Sequence, residues 1–196
     1  MEKITVRDAR REDAADIAGL LVMAWPVEDF LRMQPGLTLD GLVGFIRTFV
    51  EAEDTLYSYR YTVVAVLKSD DGDERIVGAM NGYDGAEYET LKRPVMEAIA
   101  ASFESGDDFG RVKETDAGEF YLDSAAVDPE MRSKGIGSML FDAMTERAVR
   151  QGFDTVGLIV DEDKPRAEAL YLRLGYKTVG CKDFMGHRML HMQKKI

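Results

Sequence analysis

The order of residue types over 120–140, F-Y-L-D-S-A-A-V-D-P-E-M-R-S-K-G-I-G-S-M-L, constrains this chain more than any other stretch. An apolar, β-prone run at 120–127 ends at a turn signal, Asp128-Pro129, and a glycine-bearing loop then opens into a helical pattern beginning near Gly135. The first backbone N–H groups of a helix have no intrahelical partner and sit at the positive end of its dipole. Arg132-Ser133-Lys134-Gly135-Ile136-Gly137 can therefore cradle a phosphate. Gly135 and Gly137 allow close backbone approach, and Arg132 and Lys134 add charge.

Spacing separates the known uses of that device. A Walker A loop needs Gly-Lys-Ser/Thr after a four-residue gap, and here Lys134 precedes the glycine. A dinucleotide fingerprint needs Gly or Ala at position 140, which is Leu140, and opens a βαβ unit near the start of its fold. What remains, Val127-x-Pro129-x-x-Arg132-x-Lys134-Gly135-Ile136-Gly137-x-x-Leu140, resembles the acetyl-CoA loop of the GNAT superfamily of N-acetyltransferases. A second block, Ala167-x-x-Leu170-Tyr171-x-x-x-Gly175-Tyr176, is similar to that family's later helix and the turn after it. Lys164 stands where the family often has an Asn that contacts the cofactor. The two blocks cover 118–180, and the first hundred residues match only in general layout.

The resemblance implies one α/β domain over 1–196, with a mixed central sheet of six or seven strands, helices on both faces and a central cleft; the least family-like stretch, about 83–117, reads as a helical insertion. The resemblance also implies acetyl-CoA as cosubstrate, held by Ala125, Ala126, Val127, Arg132, Ser133, Lys134, Gly135, Ile136, Gly137, Ser138 and, at the departing position, Lys164. The amide-rich pantetheine arm would pair along the end of the 120–127 strand, which splays from the 153–160 strand in the family. A backbone N–H near 125–127 would support the developing oxyanion. The expected chemistry is direct attack by a primary amine, with no metal and no covalent enzyme intermediate. An ammonium must first lose a proton, and Asp123, with Glu119 behind it, is the candidate base; a satisfied structural carboxylate is the other reading of Asp123. Tyr171 matches the family's proton donor to the departing thiolate, with a core tyrosine as its other reading. Rival readings of the whole are an acyl-CoA-binding sensor without turnover and an O- or longer-chain acyltransferase.

Taken in order, 4–7 reads as a short β-branched strand. Apolar residues from Glu12 recur at helical spacing through Ile17, Ala18, Leu21, Val22 and Trp25, where Pro26 stops the helix. After the turn Gln34-Pro35-Gly36, Thr38 can cap a second helix at 39–52. A strand at 59–67, a polar turn at 69–73 and a strand at 75–81 form a hairpin. The helical spacing of 88–104 carries Leu91, Val95, Met96, Ile99 and Phe103, with Pro94 in a first turn or at a kink. That insertion reads either as an acceptor-site wall bearing Tyr83, Asp84, Glu87 and Tyr88, or as a surface for a partner. A helix at 136–151 closed by Gly152, an apolar strand at 153–160, a short helix at 166–174 and a hairpin of 176–182 with 188–193 complete the chain.

Composition narrows the partners. The chain of 196 residues carries a net charge of −11, which disfavours nucleic acid. Over 164–196, however, eight Lys/Arg face two acids. An acidic body with a basic end suits a cationic amine acceptor beside polyanionic coenzyme A, and an ordinary basic tail is the other reading. The expected partner is thus an amine-bearing small molecule or protein amine, and a homodimer is compatible with it. No stretch approaches the ~20 apolar residues of a membrane span, and no signal peptide is evident, so the cytoplasm is the expected location. His187 and His191 on one strand would stand about 13 Å apart, too far to share an ion. The lone Cys181 reads as a small buried hydrophobe.

Overall fold

Among the described residues, seven strands form one mixed sheet in the order β1-β2-β3-β4-β5-β7-β6. They are β1 (Lys3–Asp8), β2 (Thr62–Lys68), β3 (Glu74–Asp84), β4 (Phe120–Val127), β5 (Thr155–Asp161), β6 (Lys177–Phe184) and β7 (His187–Lys195). The helices are α1 (Ala14–Val22), α2 (Val27–Met33), α3 (Leu39–Glu51), α4 (Tyr88–Ser102), α5 (Ile136–Arg150) and α6 (Pro165–Arg173). These elements come from a computed structural model that describes residues 3–25, 27–34, 36–69, 71–102, 113–184 and 186–196. The expectations placed on Pro26, Pro35, Asp70, Phe103 and Glu104 lie outside the described residues. The chain divides into two compact units, Met1–Gly82 with Ser124–Met144 and Tyr83–Asp123 with Thr145–Ile196.

In the first unit the apolar face of α1 (Ile17, Ala18, Leu21, Val22) and the stripe of α3 (Leu42, Ile46, Phe49, Val50) are buried. Thr38 caps α3 as its sequence position predicts, its Oγ1 accepting from Gly41 N at 3.0 Å. Asp13 ties β1 to the start of α1 by accepting from Arg7 at 2.7 and 3.0 Å and from Arg10 N at 2.7 Å. Two expectations change here. Helix α2 was not foreseen, because seven residues are too few for a 3.6-residue period to register. The strand expected from 59 begins at Thr62, because Ser58 caps a 3-10 turn over Tyr59–Tyr61, its Oγ accepting from Arg60 N at 3.2 Å.

The register of β2 on β3 passes from Ala65↔Gly78 to Val66↔Ile76, so Val77 is the extra residue of a bulge. Its carbonyl accepts instead from Asp128 N at 3.0 Å, fastening the turn after β4 to β3. A Cβ added at Gly78 would lie 3.2 Å from Ile136 Cγ2, 3.2 Å from Leu140 Cδ1 and 3.3 Å from the Ala126 carbonyl. The first turn of α5 and the end of β4 thus both rest on bare backbone.

In the second unit β4 pairs in parallel with β5 through Phe120↔Val156 and Tyr121↔Gly157, and β5 runs antiparallel to β7. Pro94 lies inside α4 rather than in its first turn. Cys181 is exposed, not buried, because β6 is the outer strand of the closing hairpin and lies at the sheet edge.

Candidate functional site

The loop after β4 is built by short-range bonds. Asp128 Oδ1 accepts from Glu130 N at 2.9 Å, and Met131 N donates to the Asp128 carbonyl at 2.8 Å. The buried Met131 side chain anchors this turn. Ser133 has φ +63° and Gly135 φ +80°. Left-handed backbone at a serine is uncommon, and such turns can point successive N–H groups into one concavity that suits an anion. Helix α5 starts immediately after, with Ile136 and Leu140 buried beneath it. Arg132, Ser133, Lys134 and Ser138 are exposed around the turn. Arg132 Nε donates to the Val127 carbonyl at 3.3 Å, which folds the side chain back over the strand end.

The loop meets a steric test for a bound diphosphate. Cβ atoms added at Gly135 and Gly137 would meet nothing within 4 Å, so the backbone there faces open space at a helix start. The strand leading in carries small side chains at Ala125 and Ala126, the first exposed and the second half-buried. Ser124 N donates to Asn81 Oδ1 at 3.0 Å, and Asn81 Nδ2 donates to the Leu56 carbonyl at 2.9 Å. Trp25 donates from Nε1 to Ser124 Oγ at 3.3 Å.

In the second unit Asp123 sits in a cluster that the sequence reading found only in part. Tyr83 Oη donates to Asp123 Oδ2 at 2.5 Å. Beside it, Glu114 accepts from Tyr88 Oη at 2.9 Å and Tyr121 Oη at 3.0 Å. The three rings are at most 1% exposed, whereas Glu114 and Asp123 are half-buried. Burial, followed by the charge of Asp123, raises the Glu114 carboxyl to about 7 against the pull of Tyr88, Tyr121 and Lys92. Tyr83 and Tyr88 therefore present hydroxyls to carboxylates rather than exposed rings. Glu114 and Tyr121 were missed; the one signal was Tyr121-x-Asp123, two polar groups on the same face of a strand.

Glu119 is not available to stand behind Asp123 as a second base. Its side chain, 2% exposed, accepts from Thr115 Oγ1 at 2.6 Å, from Gln193 Nε2 at 2.7 Å and from His191 Nε2 at 2.9 Å. His187 is paired elsewhere, its Nδ1 2.9 Å from Asp161 Oδ2. No group of three or more metal-ligating side chains occurs among the described residues.

Tyr171 lies on α6, half-buried, its ring edge-on to Tyr176 with centroids 6.0 Å apart. Burial raises its hydroxyl above the ordinary value, which keeps the proton on the oxygen at neutral pH. Lys164 is exposed and caps α6 through its backbone, its carbonyl accepting from Ala167 N at 3.0 Å.

A family model described as the acetyltransferase (GNAT) family matches residues 38–176. The chain belongs to the GNAT family. Among solved structures, this GNAT protein is 28% identical to an acetyltransferase, with a TM-score of 0.75 over 98% of this chain and 99% of the other. It has the fold of an N-acetyltransferase from Staphylococcus aureus Mu50 at 21% identity and TM-score 0.74, over 96% and 99% of the two chains. It also has the fold of a histone acetyltransferase HPA2-related acetyltransferase from Corynebacterium glutamicum ATCC 13032 at 23% identity and TM-score 0.63, over 98% and 96%. Sequence comparison with curated proteins gives no match. The expected mixed α/β sheet is thus found with seven strands, in a GNAT acetyltransferase fold that supports acyl transfer from acyl-CoA. No helix among the described residues is long and apolar enough to cross a membrane.

Proposed function

We propose that residues 1–196 act as one catalytic domain that transfers an acetyl group from acetyl-CoA to a primary amine by direct attack. The observation that carries this reading is the turn with left-handed Ser133 and Gly135, opening directly into α5 over clear space at Gly135 and Gly137. Bound acetyl-CoA supplies the activated acetyl thioester. Backbone N–H groups of the turn, with Arg132, Ser133, Lys134, Ile136 and Ser138 around them, hold the diphosphate, and Lys164 is proposed as a further contact to the coenzyme. The backbone of Ala125, Ala126 and Val127 orients the pantetheine arm.

Two protons then have to move. Asp123 Oδ takes one from the acceptor's ammonium, which is not nucleophilic while charged. Tyr171 Oη holds the other for the departing sulfur, and burial keeps it there until it is needed. The acceptor is an amine-bearing small molecule or a protein amine, and a homodimer is compatible with this arrangement. The test is a screen of amines and alcohols for free thiol released from acetyl-CoA, alongside calorimetry of acetyl-CoA binding. Thiol release with an amine and N-acetylated product supports the reading. Binding without release from any acceptor would make the chain a sensor instead.

A further inference from the structure

We propose that Glu114 is a positioning residue for the proton transfer, forming with Asp123 an electrostatically coupled carboxylate pair held by the hydroxyls of Tyr83, Tyr88 and Tyr121. The inference rests on Asp123 being the base of the proposed reaction. The two carboxylates come from different places, Glu114 from the segment before β4 and Asp123 from within it. Each oxygen of Glu114 has its own donor, Oε1 from Tyr88 and Oε2 from Tyr121. Asp123 has Tyr83 at 2.5 Å, a length found when the acceptor is ionised. The Tyr83 and Tyr121 ring centroids are 5.9 Å apart, so the two bonded carboxylates are carried by neighbouring rings.

The donors are fixed. Burial and the nearby carboxylates push the Tyr83 and Tyr121 hydroxyls well up, so neither releases its proton in the working range. Among the described residues, the charges facing Glu114 include Asp123 from β4 and Lys92 from α4, together with the titratable Tyr88 on α4, Tyr83 on β3 and Tyr121 on β4. Lys92 is itself buried, with Nζ 5.0 Å from the Tyr88 ring centre. Two anions in this setting repel, and the pair binds its first proton more tightly than one exposed carboxylate would.

That affinity suits the chemistry. When an acceptor ammonium gives its proton to Asp123, one N–H bond breaks and one O–H bond forms. The amine becomes neutral, and the pair passes from two negative charges to one. A lone aspartate near its ordinary value of ~3.9 accepts poorly from an ammonium near ~10, whereas a pair poised toward neutrality accepts better. Glu114 thus raises the basicity of Asp123 without touching the acceptor.

The test begins with a carboxyl ¹³C titration of the full chain labelled in Glu and Asp, comparing wild type with Glu114→Gln and Asp123→Asn. The Glu114 signal is expected to titrate near 7 and to fall in Asp123→Asn, while staying above the ordinary ~4.3 because burial, the larger cause, remains. A Glu114 signal that titrates in the ordinary range, or that Asp123→Asn leaves in place, overturns the proposal, and neither result bears on acetyl transfer itself. The second arm is the pH profile of thiol release from acetyl-CoA with the amine that turns over in the screen above. Its rising limb should move down by about one unit or more in Glu114→Gln and up in Tyr83→Phe, because one change removes a like charge and the other a donor to the ionised form. A uniform loss of rate with the limb unmoved in both variants would reduce the cluster to packing and overturn the role assigned to Glu114. Thiol release from no amine at all would overturn the acceptor reading instead, whatever the titration shows.

Discussion

Replacing Gly157 by alanine should dislodge a buried carboxylate two strands away from its partners. Glu119 reaches from just before β4 across β5 to His191 and Gln193 on β7, and Gly157 is the point of β5 that it crosses. A Cβ at 157 would lie 1.9 Å from Glu119 Oε2, 2.4 Å from Cδ and 2.9 Å from Oε1. The head group cannot yield cheaply, because Thr115, His191 and Gln193 all donate to it. Pulling a buried carboxylate off its partners costs about 3–5 kcal/mol, and the added methyl returns well under about 1 kcal/mol of strand preference. Equilibrium urea unfolding should show a loss of that size in Gly157→Ala. In a Glu119→Ala background the obstruction is gone, so the same substitution should cost under about 1 kcal/mol, a coupling far outside the additivity of independent sites. Acid unfolding gives a second readout. Burial pushes Glu119 up, but the bonds from His191, Thr115 and Gln193 outweigh it and hold the carboxyl below its ordinary value. Its contribution is therefore complete above the unfolded value near ~4.3 and lost as pH falls through the lower folded one, and Glu119→Gln should remove that component. Equal costs for Gly157→Ala in both backgrounds would refute the reasoning.

At the loop, Gly135→Asp or Gly137→Glu should abolish acetyl-CoA binding by calorimetry; Gly137→Glu, facing open space, should leave the unfolding midpoint nearly unchanged, whereas Gly135→Asp should lower it, because a φ of +80° disfavours any side chain. Arg132→Ala should weaken binding by about 1–2 kcal/mol, the scale of one charge-assisted hydrogen bond. Tyr171→Phe keeps the edge-on contact with Tyr176, so folding and acetyl-CoA affinity should hold while kcat falls by about 10²-fold. That loss should shrink with a thioester whose thiol is more acidic, and an unchanged kcat would make Tyr171 a packing residue.

What the sequence made legible follows the range of the forces involved. Thr38 and α3 were readable because a cap and a 3.6-residue stripe are local signals, and so were β4, its turn and α5, where strand, loop and helix follow one another directly. The exposure of Cys181 depends on strand order, which no local pattern carries, so an apolar residue type suggested burial that an edge strand does not provide. The site divided along the same line. The donor loop is one contiguous segment, whereas the Asp123 cluster gathers Tyr83, Tyr88, Glu114 and Tyr121 over about forty positions. His191 was weighed against His187 as a possible ligand pair, but its partner, Glu119, is 72 residues away across the sheet. Gly157, which lets them meet, looked like one more small residue in an apolar strand.

The seat of α5 on Gly78 sets where variation can be introduced when the donor loop is redesigned. Ile136, Leu140 and the Ala126 carbonyl all lie within 3.3 Å of where a side chain at 78 would begin. The turn between β4 and α5 thus takes its position from the interior, while residues 132–134 face outward. A combinatorial library can randomise those three positions, weighting 133 toward residues that accept left-handed backbone, and still present each variant on the same frame. Diversity introduced at 78, by contrast, would displace every loop in the library at once.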